Sequence, residues 1–308
     1  MMNKADIDIG VDNDFKLTIP IEEWSKYGIG ENSIWHIPGS ETGGIILDYT
    51  VITKNGTVEA TGEVFRGTLK KHIIEPPDGE DYLIVEGEAN RIISNLIKDF
   101  LPLFKAEAEN SGFIFERYQF ERYTDVLSGI EKMLKTIGSK LKLRTGYENG
   151  EIRVYVGAAP IVDYSQGLEY GSDNKVNFKA RNYKRGINHL ICLGKGELKN
   201  RLVVHLYLQS DGTIGPTKHY FGIKERTEIY EFNTIEDALE LEDNGRKRFK
   251  ELMDYQKIEI ELDETEADLG DIVGGRERIT DFYIQKPIVR KIIKISGGKS
   301  TITYKVGD

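Results

Sequence analysis

The chain has 308 residues, of which 39% are hydrophobic and 30% are charged. This composition is typical of a folded chain with two to four compact units and excludes an intrinsically disordered one. Acidic residues number 51 and basic residues 42, for a formal net charge of −9. A chain of this charge has no broad basic surface to offer, so sequence-specific nucleic-acid binding is not expected.

Two short basic runs and one cysteine need separate interpretation. Arg181, Lys184 and Arg185 form one run, residues 246–250 form the other, and both are interpreted as solvated surface. Cys192, the only cysteine, lies in an apolar run and is predicted to be buried. A single cysteine allows neither an intrachain disulfide nor a multi-thiolate metal site.

The N-terminal residues lack the apolar core of a signal peptide. No stretch reaches the roughly 18 consecutive apolar residues that a membrane-spanning helix needs. We therefore expect a protein made in the cytoplasm, without a membrane partner.

Residues 1–88 are predicted to form a first β-barrel-like domain. Its strand candidates show alternating or strand-favouring patterns and lie at 15–19, 45–52, 58–65 and 82–85. Asn55-Gly56 predicts a hairpin between the second and third of these strands. Short strands at regular spacing are typical of a barrel or a sandwich.

Residues 89–160 are predicted to form an α/β insert domain. Helices are expected at 89–96 and 124–137, the second capped by Thr124 and ended by Gly138. A hairpin turning at Asn149-Gly150 should follow.

Residues 161–255 are predicted to form a mixed β domain with a late helix at 234–253, capped by Thr234. Residues 256–308 supply the closing strands of a second β-barrel-like domain, with a turn at Gly297-Gly298. The predicted fold class is therefore α+β and mainly β, with two β-barrel-like domains and small α/β domains.

The sequence Gly297-Gly298-Lys299-Ser300-Thr301 resembles the end of a phosphate-binding loop. The full pattern needs a glycine where Ile293 stands, and a helix after the lysine, where a strand pattern follows instead. We therefore interpret this motif as a hairpin turn.

Four aspartates near the N-terminus, Asp6, Asp8, Asp12 and Asp14, suggest a calcium site. No starting point among them places both the glycine and the glutamate that a calcium-binding loop needs. They are interpreted as a frayed polar N-terminus.

The five histidines do not fall at metal-ligand spacings. His205 lies in a predicted strand and is interpreted as a strand-surface or interface residue. The sequence thus predicts no catalytic, cofactor-binding or metal-binding residue and no cofactor, and the chain is not expected to be an enzyme.

Several short signatures occur in a recognisable order along the chain. They are LIVEGEA at 83–89, YTDVL at 123–127, KLKLR at 140–144, NHLICLGKGE at 188–197, ADLGDIV at 267–273 and IVRKI at 288–292. In order and type they resemble the siphovirus gene-product-thirty-seven-like tail proteins, and with them the hub-forming N-terminal part of phage tail-associated baseplate proteins. The resemblance extends over about residues 80–308.

The resemblance implies a structural protein of the virion tail, a tail-tip or baseplate hub that assembles as a homotrimer. It implies a distal tail protein and a tape measure protein as partners. The net negative charge suits a channel through which DNA passes without binding to its wall. Because the chain ends at Asp308 after the last predicted strand, any lytic activity is expected in another protein.

Two other classes of function stay open at this point. A carbohydrate- or receptor-binding tail module is compatible with the 16 tyrosines, which would have to line a groove. A virion-associated hydrolase would need carboxylates or histidines converging in one pocket.

Overall fold

The computed structural model describes residues 4–165, 176–183, 186–253, 255–262, 267–277 and 282–307. The chain divides into two compact units. Unit 1 consists of Met1–Phe178 and Glu259–Asp308, and unit 2 is Lys179–Ile258. The four-segment division expected from the sequence stays a prediction.

Five helices and nineteen strands follow one another along the described residues. The helices are α1 Ile21–Lys26, α2 Phe65–Lys70, α3 Ala89–Leu96, α4 Val126–Lys135 and α5 Ala238–Leu252. The strands are β1 Lys4–Ile9, β2 Asp14–Pro20, β3 Ile34–His36, β4 Gly43–Ile52, β5 Thr57–Val64, β6 Ile84–Glu88, β7 Phe104–Ala106, β8 Ile114–Gln119, β9 Ser139–Glu148, β10 Glu151–Pro160, β11 Val176–Tyr183, β12 His189–Leu193, β13 Val203–Leu208, β14 Ile214–Gly215, β15 Thr227–Glu231, β16 Tyr255–Leu262, β17 Ile272–Glu277, β18 Phe282–Ser296 and β19 Lys299–Val306.

A ten-stranded sheet dominates the fold and curls as a half-barrel. Its order is β11-β16-β19-β18-β1-β2-β5-β4-β3, and β17 pairs with β18 off this path. All the strand pairs with a described register in this sheet are antiparallel. The prediction of a mainly β, α+β fold with a barrel-like sheet is confirmed.

The N-terminal strand lies inside this sheet, between β18 and β2, so the expectation of a frayed N-terminus is wrong for residues 4–9. Alternation in β1 places Ala5 and Ile7 on the buried face, and alternation in β2 does the same for Phe15, Leu17 and Ile19. The period-2 pattern of 15–19 therefore predicted the correct face.

The predicted α/β insert contains a three-stranded sheet of order β7-β10-β9 and the helices α3 and α4. Its core is one apolar cluster that includes Phe104, Ile130, Met133, Leu134 and Val154. Helix α4 begins one residue later than the Thr124 cap predicts. Asp125 caps it, since its Oδ1 accepts the Ser128 amide at 2.8 Å.

Unit 2 pairs a four-stranded sheet of order β14-β13-β12-β15 with helix α5. Their shared core contains Leu190, Cys192, Leu206, Leu241 and Phe249. The predicted burial of Cys192 is confirmed, because the side chain is 0% exposed.

Helix α5 differs from its prediction at its start and in its middle. Asp237, not Thr234, caps it, accepting the Glu240 amide at 2.9 Å. The helix continues through Gly245, whose added Cβ would lie 2.5 Å from the Cys192 sulfur. Close packing therefore explains a glycine that the sequence alone suggests as an interruption.

No helix in the described ranges is both long enough and apolar enough to cross a membrane.

Candidate functional site

The N-terminal aspartates meet an arginine from the other end of the chain. Arg290 on β18 donates hydrogen bonds to the carboxylates of Asp8 and Asp12. Burial, with Asp12 and Asp8 nearby, raises the pKa of Asp14. Because Arg290 balances these carboxylates, the group serves as an ion pair between β18 and the β1–β2 turn.

The phosphate-loop-like motif is a hairpin turn, as the sequence predicts. Ser296 pairs with Lys299 across it, and strands β18 and β19 continue on either side. Gly297 and Gly298 have φ of +60° and +78°, the left-handed values that a two-residue hairpin turn requires.

A buried guanidinium joins α2 to α4 and β9. Arg66 is 2% exposed, and its Nε lies 2.9 Å from an oxygen of Glu41, which is 7% exposed. Its Nη1 donates to Glu131 at 2.8 Å and its Nη2 to the Leu141 carbonyl at 3.0 Å. Burial raises the pKa of Glu131. Each of the three guanidinium nitrogens thus has a hydrogen-bond acceptor, as a buried charge requires.

The sequence ADLGDIV forms a second buried ion pair in unit 1. Asp271 is 1% exposed and lies 2.6 Å from the Lys140 ammonium. Its two oxygens also accept the amides of Val162 at 2.8 Å and Asp268 at 2.9 Å. Gly270 has φ +87°, and an added Cβ would lie 2.9 Å from Lys140 Cβ. Asp271 in this motif therefore holds the backbone at Val162 and Asp268 and the side chain of Lys140, which is a structural role.

Unit 2 brings together two histidines that are sixteen positions apart. His189 Nε2 lies 2.9 Å from His205 Nδ1. His189 Nδ1 lies 3.0 Å from Glu225 Oε1 and 2.9 Å from Thr227 Oγ1. The Tyr207 ring stacks on His189 at 4.3 Å between centroids. Sequence spacing could not reveal this group, because strand register creates it.

The two predicted basic runs differ in what can be described. In the run 246–250, Arg246 pairs with Glu242 at 2.5 Å and Arg248 with Glu251 at 2.5 Å. Lys247 and Lys250 are exposed, as a solvated surface predicts, whereas Arg246 and Arg248 are half-buried. Lys184 and Arg185 of the other run lie outside the described residues.

The outer edge of the large sheet is exposed along half of β4. Strand β3 pairs only with Gly43, Gly44 and Ile45. The last backbone hydrogen bonds on that side involve Ile46, whose carbonyl accepts the Asn32 amide at 2.7 Å and whose amide donates to Ser33 at 3.0 Å. Beyond this point no strand in the described ranges continues the sheet.

Three apolar side chains stand along this unpaired stretch, which we call the open edge. Leu47, Tyr49 and Val51 are 50%, 42% and 50% exposed. The Tyr49 ring lies 5.0 Å from that of Trp24 on α1, and the Tyr49 amide donates to Asp48 at 2.8 Å. A strand edge with unpaired backbone groups and exposed apolar side chains is a template for pairing with another chain.

Cavities in unit 1 could serve a binding module or an enzyme only if suitable side chains line them. Two are open grooves beside α3, of about 610 and 680 Å³, and one of about 290 Å³ lies near Arg66 and Lys140. None of the three is lined by an aromatic ring. The aromatic groove that would favour a carbohydrate-binding module is not among them.

No protein-family model matches the chain, and no curated protein matches it in sequence.

Solved structures of tail proteins do resemble it. The prophage MuSo2 43 kDa tail protein from Shewanella oneidensis aligns with a TM-score of 0.51 and 13% identity, over 100% of this chain and 94% of that one. A tail protein from Neisseria meningitidis gives 0.49 and 11%, over 100% and 92%. The prophage tail protein gp18 from Listeria monocytogenes gives 0.47 and 12%, over 98% and 87%. On the first of these alignments, the chain shares the fold of a prophage tail protein along its whole length.

Proposed function

We propose that this chain is a non-enzymatic structural component of a phage or prophage tail, at the tail tip or baseplate hub. The observation that carries the proposal is the fold likeness to the Shewanella prophage tail protein, which spans 100% of this chain. The sequence resemblance to the siphovirus gene-product-thirty-seven-like tail proteins points to the same role. The location would then be the virion tail, after synthesis in the bacterial cytoplasm.

The role requires self-assembly, and the open edge offers a surface for it. A strand of a neighbouring copy placed beside β4 would satisfy the outward backbone groups and cover Leu47, Tyr49 and Val51. A homotrimer is the assembly that the sequence resemblance implies. A distal tail protein and a tape measure protein are the further partners that we propose.

Buried charges support a structural rather than a catalytic role. Arg66 is satisfied by Glu41, Glu131 and a carbonyl, and Lys140 by Asp271. These groups tie distant segments of unit 1 together. We therefore propose no catalytic residue and no cofactor.

The first test is the solution mass by light scattering after size exclusion, over a range of concentrations. We expect a species near three times 35.0 kDa. A monomer at every concentration would contradict self-assembly of the isolated chain and favour a ligand-binding module.

A variant of the open edge tests the surface itself. Tyr49→Lys/Val51→Lys places two charges on the edge, where lysines discourage strand pairing, so we expect the mass to fall toward 35.0 kDa. Leu239→Lys is the matched control, because Leu239 is 74% exposed but lies on α5. An assembly that survives the double substitution would remove the open edge from the proposal.

A further inference from the structure

A groove of about 610 Å³ lies between strand β6 and helix α3 of unit 1. Leu83, Ile84 and Val85 line it from the strand, and Ile92 and Leu96 line it from the helix. Ile92 belongs to the apolar cluster of the α/β insert, and Leu83, Val85 and Leu96 pack against that cluster. One wall of the groove is therefore the edge of a strand, and its floor is an apolar helix face.

The outer edge of β6 carries backbone groups that have no partner. In the described ranges, β6 pairs with β8 alone. The Phe120 amide donates to the Leu83 carbonyl at 2.9 Å, which makes these two residues a hydrogen-bonded pair. Because backbone direction alternates along a strand, the N–H and C=O groups of Ile84 and Glu86 point away from β8. No described residue forms a backbone hydrogen bond with them on that side.

Two cations stand beside the apolar helix face. Arg91 and Lys98 line the groove and are exposed, and neither forms an ion pair with a described residue. They are seven positions apart, which is roughly 10–12 Å along the helix axis. Glu86 also lines the groove, but it alternates with Val85 and so lies on the other face of β6. The helix side of the groove is therefore positively charged.

We propose that this groove binds an extended segment of another protein, which adds a strand beside β6 and covers Ile92 and Leu96. Such a strand would pair with the outward backbone groups of Ile84 and Glu86. In this mode of recognition, the main chain supplies affinity and alternate side chains supply specificity. The inference is independent of the proposed tail function, since it rests on the geometry of one chain.

The charges on the helix side indicate which side chains the segment carries. Every second side chain of the added strand faces α3. An apolar side chain there would cover Ile92 and Leu96, and a carboxylate two positions before it and another two positions after it would lie about 13 Å apart. This spacing suits Arg91 and Lys98, whose long side chains can adjust to it. The expected partner therefore has an acidic residue on each side of an apolar one, with one residue between neighbours.

The test is fluorescence anisotropy of a labelled synthetic peptide, Thr-Glu-Thr-Ile-Thr-Glu-Thr, titrated with the full chain. Its ends are blocked, so that only the two glutamates carry charge. We expect saturable binding that weakens with added salt. A control peptide with lysine in place of both glutamates should bind at least about tenfold more weakly, because it meets two cations.

A charge reversal in the groove sharpens the test. Arg91→Glu/Lys98→Glu should bind the lysine peptide more tightly than the glutamate peptide, an exchange of preference that an unfolded variant would not show. Lys54→Glu/Lys199→Glu is the matched control, since it changes the net charge equally at two exposed lysines outside the groove. This control should keep the preference of the parent protein.

A proline variant tests the backbone contribution. Ile84→Pro removes an N–H that points away from β8, and proline is tolerated at such an edge position. We expect weaker binding of the glutamate peptide, with circular dichroism unchanged.

Three results would overturn the proposal. The first is the absence of saturable binding of the glutamate peptide to the folded parent, and the second is equal binding of both peptides. The third is a self-associated parent whose mass falls to 35.0 kDa in Arg91→Glu/Lys98→Glu, since the groove would then hold a second copy of the chain. The mass of the parent alone tests the proposed tail function, whereas the peptide titrations test the groove.

Discussion

The two units handle polar groups in opposite ways. Unit 1 buries complete charges, with Arg66 at 2% exposure and Asp271 at 1%, each surrounded by partners from distant segments. Unit 2 has an apolar interior under α5 and places its histidines and Glu225 on the other face of the sheet. Removing one partner of a buried charge leaves the other uncompensated, so these contacts between distant segments matter strongly for stability.

The largest effect on stability is expected when a buried charge of unit 1, Arg66, is removed. Arg66→Met leaves Glu41 buried without its partner, so the free energy of unfolding should fall by about 3–5 kcal/mol. Urea unfolding followed by tryptophan fluorescence reports on this, because both tryptophans, Trp24 and Trp35, lie in unit 1.

Two further variants serve as controls for Arg66. Lys132→Met breaks the exposed Lys132–Glu121 pair and should cost at most about 1 kcal/mol. Arg66→Met/Glu41→Met should recover part of the loss by removing both charges. Equal stability of the Arg66 and Lys132 variants would show that the buried network contributes little.

In unit 2 the buried thiol provides the second test. Burial raises the pKa of Cys192 to about 11, so its thiolate at pH 8 should be about a hundredfold scarcer than that of an ordinary cysteine. We expect its reaction with an aromatic disulfide reagent to be at least about a hundredfold slower in the native protein than in urea. Similar rates in both conditions would mean that unit 2 opens readily.

The Gly245–Cys192 contact is the third test. Gly245→Ala places a methyl group 2.5 Å from the Cys192 sulfur and should destabilise unit 2 by about 1–3 kcal/mol, despite the better helix propensity of alanine. Urea dependence of Cys192 reactivity measures the change. Asp243→Ala, an exposed substitution on the same helix, is the control and should leave stability nearly unchanged. A stabilised Gly245→Ala variant would rule out the close packing.

The smallest expected effect is a pH dependence in unit 1. Burial, and then Glu41, raise the pKa of Asp268. Between the ordinary value of 3.8 and the raised value, the folded state binds more protons than the unfolded state. This contribution to stability therefore falls as the pH rises through that window.

Asp268→Asn should remove this contribution, which a series of urea unfolding curves from pH 3.5 to 7 would detect as a changed slope. Asp99→Asn, an exposed substitution, should keep the parent slope. Parallel slopes for the parent and Asp268→Asn would argue against a raised pKa of Asp268 in the folded protein.

Local chemistry made parts of the fold predictable. Asn149-Gly150 and Gly297-Gly298 form the turns that their sequences indicate, since left-handed backbone favours these residues. The helix caps were misplaced by one residue at Asp125 and three at Asp237. Several capping residues stand near each start, and packing decides among them.

Long-range groups could not be predicted in the same way. Arg66 contacts a carboxylate 65 positions away, and His189 contacts His205 only because of the register of β12 and β13. Neither relation leaves a signal in residue spacing. The spacing of the histidines in the sequence therefore gave no information about the contact between His189 and His205.

The place of β1 inside the large sheet has a consequence for biosynthesis. Strand β1 pairs on one side with β2 and on the other with β18, which includes Arg290. A ribosome adding about 5–20 residues per second needs on the order of 15–60 s between these strands. During that time the edge of β1 that later pairs with β18 has no partner strand, so the large sheet can close only late in synthesis.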